Sequence, residues 1–167
     1  MAEANAPWLT PEARRWAGII QTSHRRAFGR SLLAGEQPGW LAAASAAQEL
    51  FAFSSPVLAH HGHPDPRLVY ANAAALQLWC RPWAQMVGMP SRLTAPEQER
   101  KERANALDRA RHRDAYRGYS GIRIDRDGRQ FVINNARIWS LWDEQGCRCG
   151  QAASFSSWWW IDTANSE

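Results

Sequence analysis

Lysine is nearly absent from this sequence: of twenty Lys and Arg residues, only Lys101 is lysine. The basic balance, a net charge of +4 with a pI near 9.4, is therefore an arginine excess. Such a balance raises nucleic-acid binding. Set beside the abundance of alanine, it reads instead as a GC-rich coding bias. The most charged segment, Glu97 to Arg113, mixes both signs and is a solvated face before it is a DNA-reading helix. No nucleic-acid partner is expected. Cysteine is scarce too. Cys80, Cys147 and Cys149 are too few and too unevenly placed for a disulfide framework, so reduced thiols are expected. No apolar run approaches the ~18–20 residues of a membrane span. The opening MAEANAPWLTPEARR has no apolar signal core. These two absences predict a cytoplasmic location and no membrane partner. No Gly-x-Ser-x-Gly elbow, P-loop or Gly-x-Gly-x-x-Gly string occurs, so no catalytic machinery is visible.

What is present is an ordinary globular balance, 45% apolar and 22% charged, over 167 residues. That is one domain's length. The ten tryptophans are the unusual component. They spread along the whole chain, from Trp8 to the run Trp158 to Trp160, as large aromatics that build a core do.

Residues 1–9 read as a flexible tail. Thr10-Pro11-Glu12 is a helix start, with Thr as N-cap and Pro in the first turn. Leu9, Ala13, Trp16, Ile20, Ala27 and Phe28 then share one face at helical spacing. Gln37-Pro38-Gly39 breaks the chain, and a second helix is predicted over 40–53. These helices form an N-terminal segment, 10–54. From residue 55 the character changes. Val57-Leu58-Ala59 and Arg67 to Tyr70 read as a hairpin around the HHGHPDP loop, and Asn72 caps a helix over 73–79. Pro82 opens a short turn that Gly88 ends. Thr94 and Glu97 have the spacing of a capping box for a charged surface helix running to about His112. Strands are predicted over 116–125, 130–142 and 148–158, the first two joined at Asp127-Gly128. In the middle strand strict alternation puts Phe131, Ile133, Trp139 and Leu141 on one face and Val132, Ala136, Ile138 and Trp142 on the other. A sheet apolar on both faces needs cover on both. Residues 161–167 read as a second tail.

Several strings, in order, resemble the MEKHLA family, a PAS-related group with free-standing bacterial members. They are SHRRAFGRSLL (Ser23 to Leu33), the segment His61 to Trp79, MPSRLTAPE (Met89 to Glu97), YSGIRIDRDGRQFVI (Tyr119 to Ile133), ARIWSLWDEQG (Ala136 to Gly146) and GQAASFSSW (Gly150 to Trp158). The sequence departs at His60, where the family pattern leads one to expect Ser. The resemblance implies an α+β, PAS-like fold over 55–160. Its five-stranded antiparallel sheet would carry small helices on one face and the N-terminal helices on the other. It also implies a sensory domain that binds a small molecule or a protein partner, a homodimer mate included, and signals by contact. A small enzyme using the same cup is the alternative, and a metal- or haem-binding sensor the second.

Polar residues set among apolar strands are the candidate ligand contacts: Tyr70, Asn72, Arg92, Tyr119, Arg123, Trp139 and Gln151. They combine guanidinium and amide groups with flat aromatic walls, as a cavity with a few convergent polar groups requires. The bland reading is that Arg92 and Arg123 tie helix to sheet through Asp143, Glu97 or Asp125, and that Asn72 and Thr94 are caps. His61, His63, Cys147 and Cys149 could hold a metal, but a Cys-x-Cys pair is a poor zinc knuckle and no metal is expected. Cys80 stands near where a flavin photosensor needs its reactive thiol, in a WCRPWAQ context unlike the flavin-binding string of light-sensing PAS relatives. No cofactor identity follows from these residues.

Overall fold

The computed structural model describes residues 6–33 and 42–161. The breaker at 37–39, Trp40 and the tail from 162 lie outside the described residues. The N-terminal stretch is not all tail: Pro7–Leu9 forms a 3-10 turn, and Trp8 stacks on Phe51 at 3.9 Å. Helix α1, Pro11–Phe28, starts where expected. Thr10 Oγ1 accepts from the Ala13 amide, and Gly29 ends the helix in the left-handed conformation (φ 70°). Helix α2 spans Ala42–Ala52.

Among the described residues six strands form one antiparallel sheet: β1 (Val57–His61), β2 (Leu68–Ala71), β3 (Ala115–Ile124), β4 (Gln130–Trp142), β5 (Arg148–Ser154) and β6 (Ser157–Trp160). The order is β2-β1-β5-β4-β3, and β6 also pairs with β4. The long final strand of the sequence reading is thus two pieces. β5 pairs with β4 at 137–142 and β6 with β4 at 131–134. Between β2 and β3 lie α3 (Ala73–Trp79), α4 (Trp83–Met86), two 3-10 turns, and α5 (Arg100–Arg113). The capping box does not form. Thr94 closes the turn Ser91–Thr94, donating to the Ser91 carbonyl at 2.8 Å, and α5 starts six residues later. Among the described residues no helix is long and apolar enough to cross a membrane.

Both faces of the sheet are covered. Trp16, Ile19 and Ile20 of α1 and Leu50 of α2 pack on Val57, Ala59, Tyr70, Trp139 and Leu141. On the other face α3, α4 and α5 close over Phe131, Ile133, Ala136, Ile138 and Phe155. This assignment corrects the alternation expected of β4. Phe131 and Ile133 face the small helices together with Ala136 and Ile138, while Trp139 and Leu141 face α1. The cause is a bulge. Asn135 takes a positive φ of 54°, and the β3–β4 register slips there. A second slip, at Gly118 (φ 80°) in β3, lies opposite.

Candidate functional site

Beneath the small helices the inward side chains leave a cavity of about 50 Å³. Leu58 and His60 come from β1, Tyr119 and Arg123 from β3, Ile133 and Ile138 from β4, and Gln151 and Ala153 from β5. Trp79, Ser91, Thr94, Arg103 and Leu107 close it from the helical side. Outward the cavity meets a cleft of about 530 Å³ between the His61–Pro66 loop and α5. His60, Arg103, Leu107 and Gln151 line both spaces.

The cavity is unusual in its charge. Arg123 is 6% exposed, and its guanidinium donates to the Ile122 carbonyl at 2.9 Å and to the Tyr119 hydroxyl at 3.1 Å. Gly121 makes this packing possible. A Cβ there would lie 2.5 Å from Tyr119 Oη and 3.2 Å from Arg123 Nη1. Arg103 reaches in from α5, and its guanidinium donates to the Ser91 hydroxyl. The residue is partly exposed along its stem, but its charged end is desolvated. That burial, and then the charge of Arg123, pull its pKa down to about 9, so it stays cationic at neutral pH. Among the described residues no Asp or Glu lines the cavity and neither arginine makes a salt bridge.

His60 is the third polar group. It is 8% exposed, and its Nδ1 lies 2.8 Å from the His61 carbonyl. A carbonyl only accepts, so Nδ1 carries the proton and Nε2 is a bare acceptor. Nε2 is buried and has no partner among the described residues. Burial, and less strongly the charge of Arg103, hold the ring pKa down to about 4, so the ring is neutral at pH 7.

The structure divides the seven residues that the sequence grouped together. Tyr119, Arg123 and Gln151 line the cavity, with Gln151 donating to the Leu107 carbonyl at 2.8 Å. Arg92 lies on the rim of the outer cleft, exposed and paired with Asp65 at 3.0 Å. Tyr70, Asn72 and Trp139 are not on the cavity. Tyr70 packs edge-on to Trp83 at 5.5 Å on the α1 side. Asn72 caps α3 and spends its amide on the carbonyls of Leu50, Phe53 and Ser55. Trp139 donates to the Ile20 carbonyl at 3.2 Å beneath α1. Asp125 and Asp143, named as possible arginine partners, instead accept from the amides of their own turns.

His61 and His63 stack edge-on at 4.4 Å in the β1–β2 loop, and Cys147 is exposed at the β4–β5 turn. Among the described residues the three-ligand cluster is a different one, Cys80 with Asp125 and Asp127. Cys80 is exposed and lines neither cavity nor cleft. The sequence reading missed Arg103, which it placed on a solvated helix. The available signal was spacing, since Arg103 stands one helical turn before Ala106 and Leu107 and so shares their face.

The MEKHLA domain profile matches residues 14–160. The chain belongs to the MEKHLA family. Among solved structures, this MEKHLA domain is similar to an RNA-binding light-oxygen-voltage receptor, with a TM-score of 0.64 and 18% identity over 78% of the chain. It spans 37% of that receptor's length. A PAS domain from Colwellia psychrerythraea gives a TM-score of 0.60 at 11% identity, covering 68% of this chain and 93% of that one. The light-state dimer of the fungal blue-light photoreceptor Vivid gives 0.55 at 15% identity, covering 83% and 91%. At these identities the likeness shows the PAS fold alone. No curated protein matches the chain.

Proposed function

We propose that this MEKHLA domain is a non-catalytic, PAS-like sensory module that takes up a small anionic molecule. In this reading Arg103 and Arg123 grip the anion in the inner cavity, and the body of the ligand extends into the outer cleft. The observation that carries it is the pair of buried guanidiniums on one cavity without a carboxylate among its lining residues. Taking a cation out of water without a counter-charge costs several kcal/mol, and a bound anion offsets that cost. Arg offers a planar fork matched to a carboxylate. Tyr119 and Gln151 complete the polar wall, and Arg92 guards the rim. Output passes by contact to a protein partner or a second copy, in the cytoplasm, where the three free cysteines stay reduced.

Flavin, raised by a light-oxygen-voltage neighbour studied with a flavin analogue, does not fit these residues. The inner cavity, about 50 Å³, takes a carboxylate and a few neighbouring atoms but not a rigid three-ring isoalloxazine, which cannot leave its bulk in the outer cleft as a flexible chain can. Cys80, the cysteine a photoadduct would need, faces Asp125 and Asp127 instead.

Native mass spectrometry of gently purified protein, compared with Arg123→Met, tests the reading. The parent should carry a releasable small anion. The variant should lose it while unfolding at the same temperature or higher, because an unpaired buried cation has been removed. A variant that is several degrees less stable with ligand uptake unchanged would make Arg123 a structural tie.

A further inference from the structure

His60 sits in this cup with one hydrogen bond too few. Its Nδ1 is committed to the His61 carbonyl, and the ring is fixed on β1, whose neighbour β5 runs so close that a Cβ on Gly150 would lie 2.0 Å from the His60 carbonyl oxygen. Among the described residues its Nε2 meets no donor, although Arg103 lines the same wall. A buried acceptor left unmade costs ~1–3 kcal/mol, so the cavity holds an uncompensated acceptor beside two uncompensated cations. One molecule can satisfy all three. Ser91, Thr94, Tyr119 and Gln151 already hold hydrogen-bond partners, and Leu58, Leu68, Trp79, Ile138 and Phe155 make the apolar walls, with Leu107 leading out to the cleft.

We infer that the ligand is a hydroxy carboxylic acid with an apolar body: its carboxylate meets Arg103 and Arg123, and its hydroxyl donates to His60 Nε2. The inference rests on the anion reading above. It assigns His60 a role in specificity, at the position where the family pattern leads one to expect Ser. A site built to bond a hydroxyl discriminates strongly against the analogue that lacks it, because the buried acceptor is then stranded. The deoxy acid should bind through the arginines alone.

The probes are octanoate and its 2-, 3- and 4-hydroxy derivatives, titrated by calorimetry against the parent, His60→Leu and Arg123→Met. His60→Ser, the residue expected from the family, serves if His60→Leu does not fold. At least one hydroxy acid should bind the parent tenfold or more tighter than octanoate. In His60→Leu that preference should fall below threefold while octanoate affinity holds within twofold, a ratio that a merely structural histidine would not move. If octanoate and all three hydroxy acids bind alike and Arg123→Met loses them all, the anion site stands and the role of His60 is overturned. If a preference exists but survives His60→Leu, the hydroxyl is read elsewhere and the inference fails. If no acid binds the parent at millimolar concentration, the anion reading fails and takes this inference with it.

Discussion

Mild acid should strip this domain of much of its stability through two histidines on opposite faces of the sheet. His24 of α1 is fully buried between Phe28 and Trp139. Its Nδ1 donates to the Arg30 carbonyl at 3.0 Å, and its Nε2 accepts from Arg137 at 2.9 Å. Only the neutral ring satisfies both bonds. Burial first, and then the charge of Arg137, lower its pKa from 6.5 to about 4, and His60 is lowered by a similar amount. A group whose folded pKa is depressed binds more protons when unfolded. Its contribution is whole above about pH 6.5, declines as the pH falls, and is spent below about 4. At pH 5 each ring should have surrendered roughly 2 kcal/mol relative to pH 7. Together they remove about 4 kcal/mol, against a whole-domain stability of about 5–15. His61 is shifted the same way but is too exposed to add much. Glu144, lowered by Arg15, adds its loss only as the pH falls through its ordinary value of 4.5, at the acid end of this window. Urea midpoints between pH 8 and 4 at fixed ionic strength measure the slope. His24→Gln keeps an acceptor for Arg137 and a donor for Arg30 without titrating, so it should halve the slope. A parent flat between pH 7 and 5 would show that the fold does not hold the two rings neutral, and a His24→Gln slope equal to the parent's would show that His24 carries none of the loss.

Gly121→Ala should cost about 1–3 kcal/mol, because the new methyl displaces the tip of Tyr119. It should also weaken anion uptake tenfold or more by turning the Arg123 guanidinium, as a thermal melt paired with a binding titration would show. Removing residues 1–33 bares Val57, Tyr70, Trp139 and Leu141, each large side chain worth ~1.5–3 kcal/mol of burial. The truncated chain should aggregate, and a monomer with the parent's melting temperature on size exclusion and calorimetry would contradict the cover role of α1.

The features legible in the sequence were those with local causes. Thr10, Asn72 and Asp127-Gly128 act within a few residues, and their helices and turn stand where the sequence puts them. Failures came wherever the answer depended on a partner across the fold. Thr94 and Glu97 have capping spacing, but Ser91 takes the Thr94 hydroxyl. Trp139 and Tyr70 lie on strands that also feed the cup, and only the register decides that both turn toward α1. Arg123 was legible between two isoleucines. Arg103 was not, because a mixed-charge helix looks solvated until Ser91 and β3 are folded against it.

The two slips in the β3–β4 hairpin act as a frameshift and its suppressor. Counting from the turn, β4 inserts one residue at Asn134–Asn135, and β3 inserts one at Arg117–Gly118 just beyond it. The pairing therefore returns to its original frame: Ile122 meets Val132 on one side of the pair of bulges, and Tyr116 meets Ile138 on the other, with the same sum of residue numbers. The two insertions are neighbours in space, since a Cβ on Gly118 would come within 3.9 Å of Asn135 Oδ1. Each bulge absorbs its extra residue locally: without Asn135, Ala136 would stand two positions after Ile133, so Ala136 and Ile138 would stay in the cup and Trp139 and Leu141 beneath α1. Losing Gly118 and Asn135 together would likewise keep Tyr116, Tyr119, Ile133 and Ile138 on the face they now share. A one-residue change in length at either bulge is thus absorbed where it occurs, without carrying a side chain to the other face. What such a double deletion gives up is the local coiling that bulges impose, and with it the curvature that holds a cup open beneath the helices.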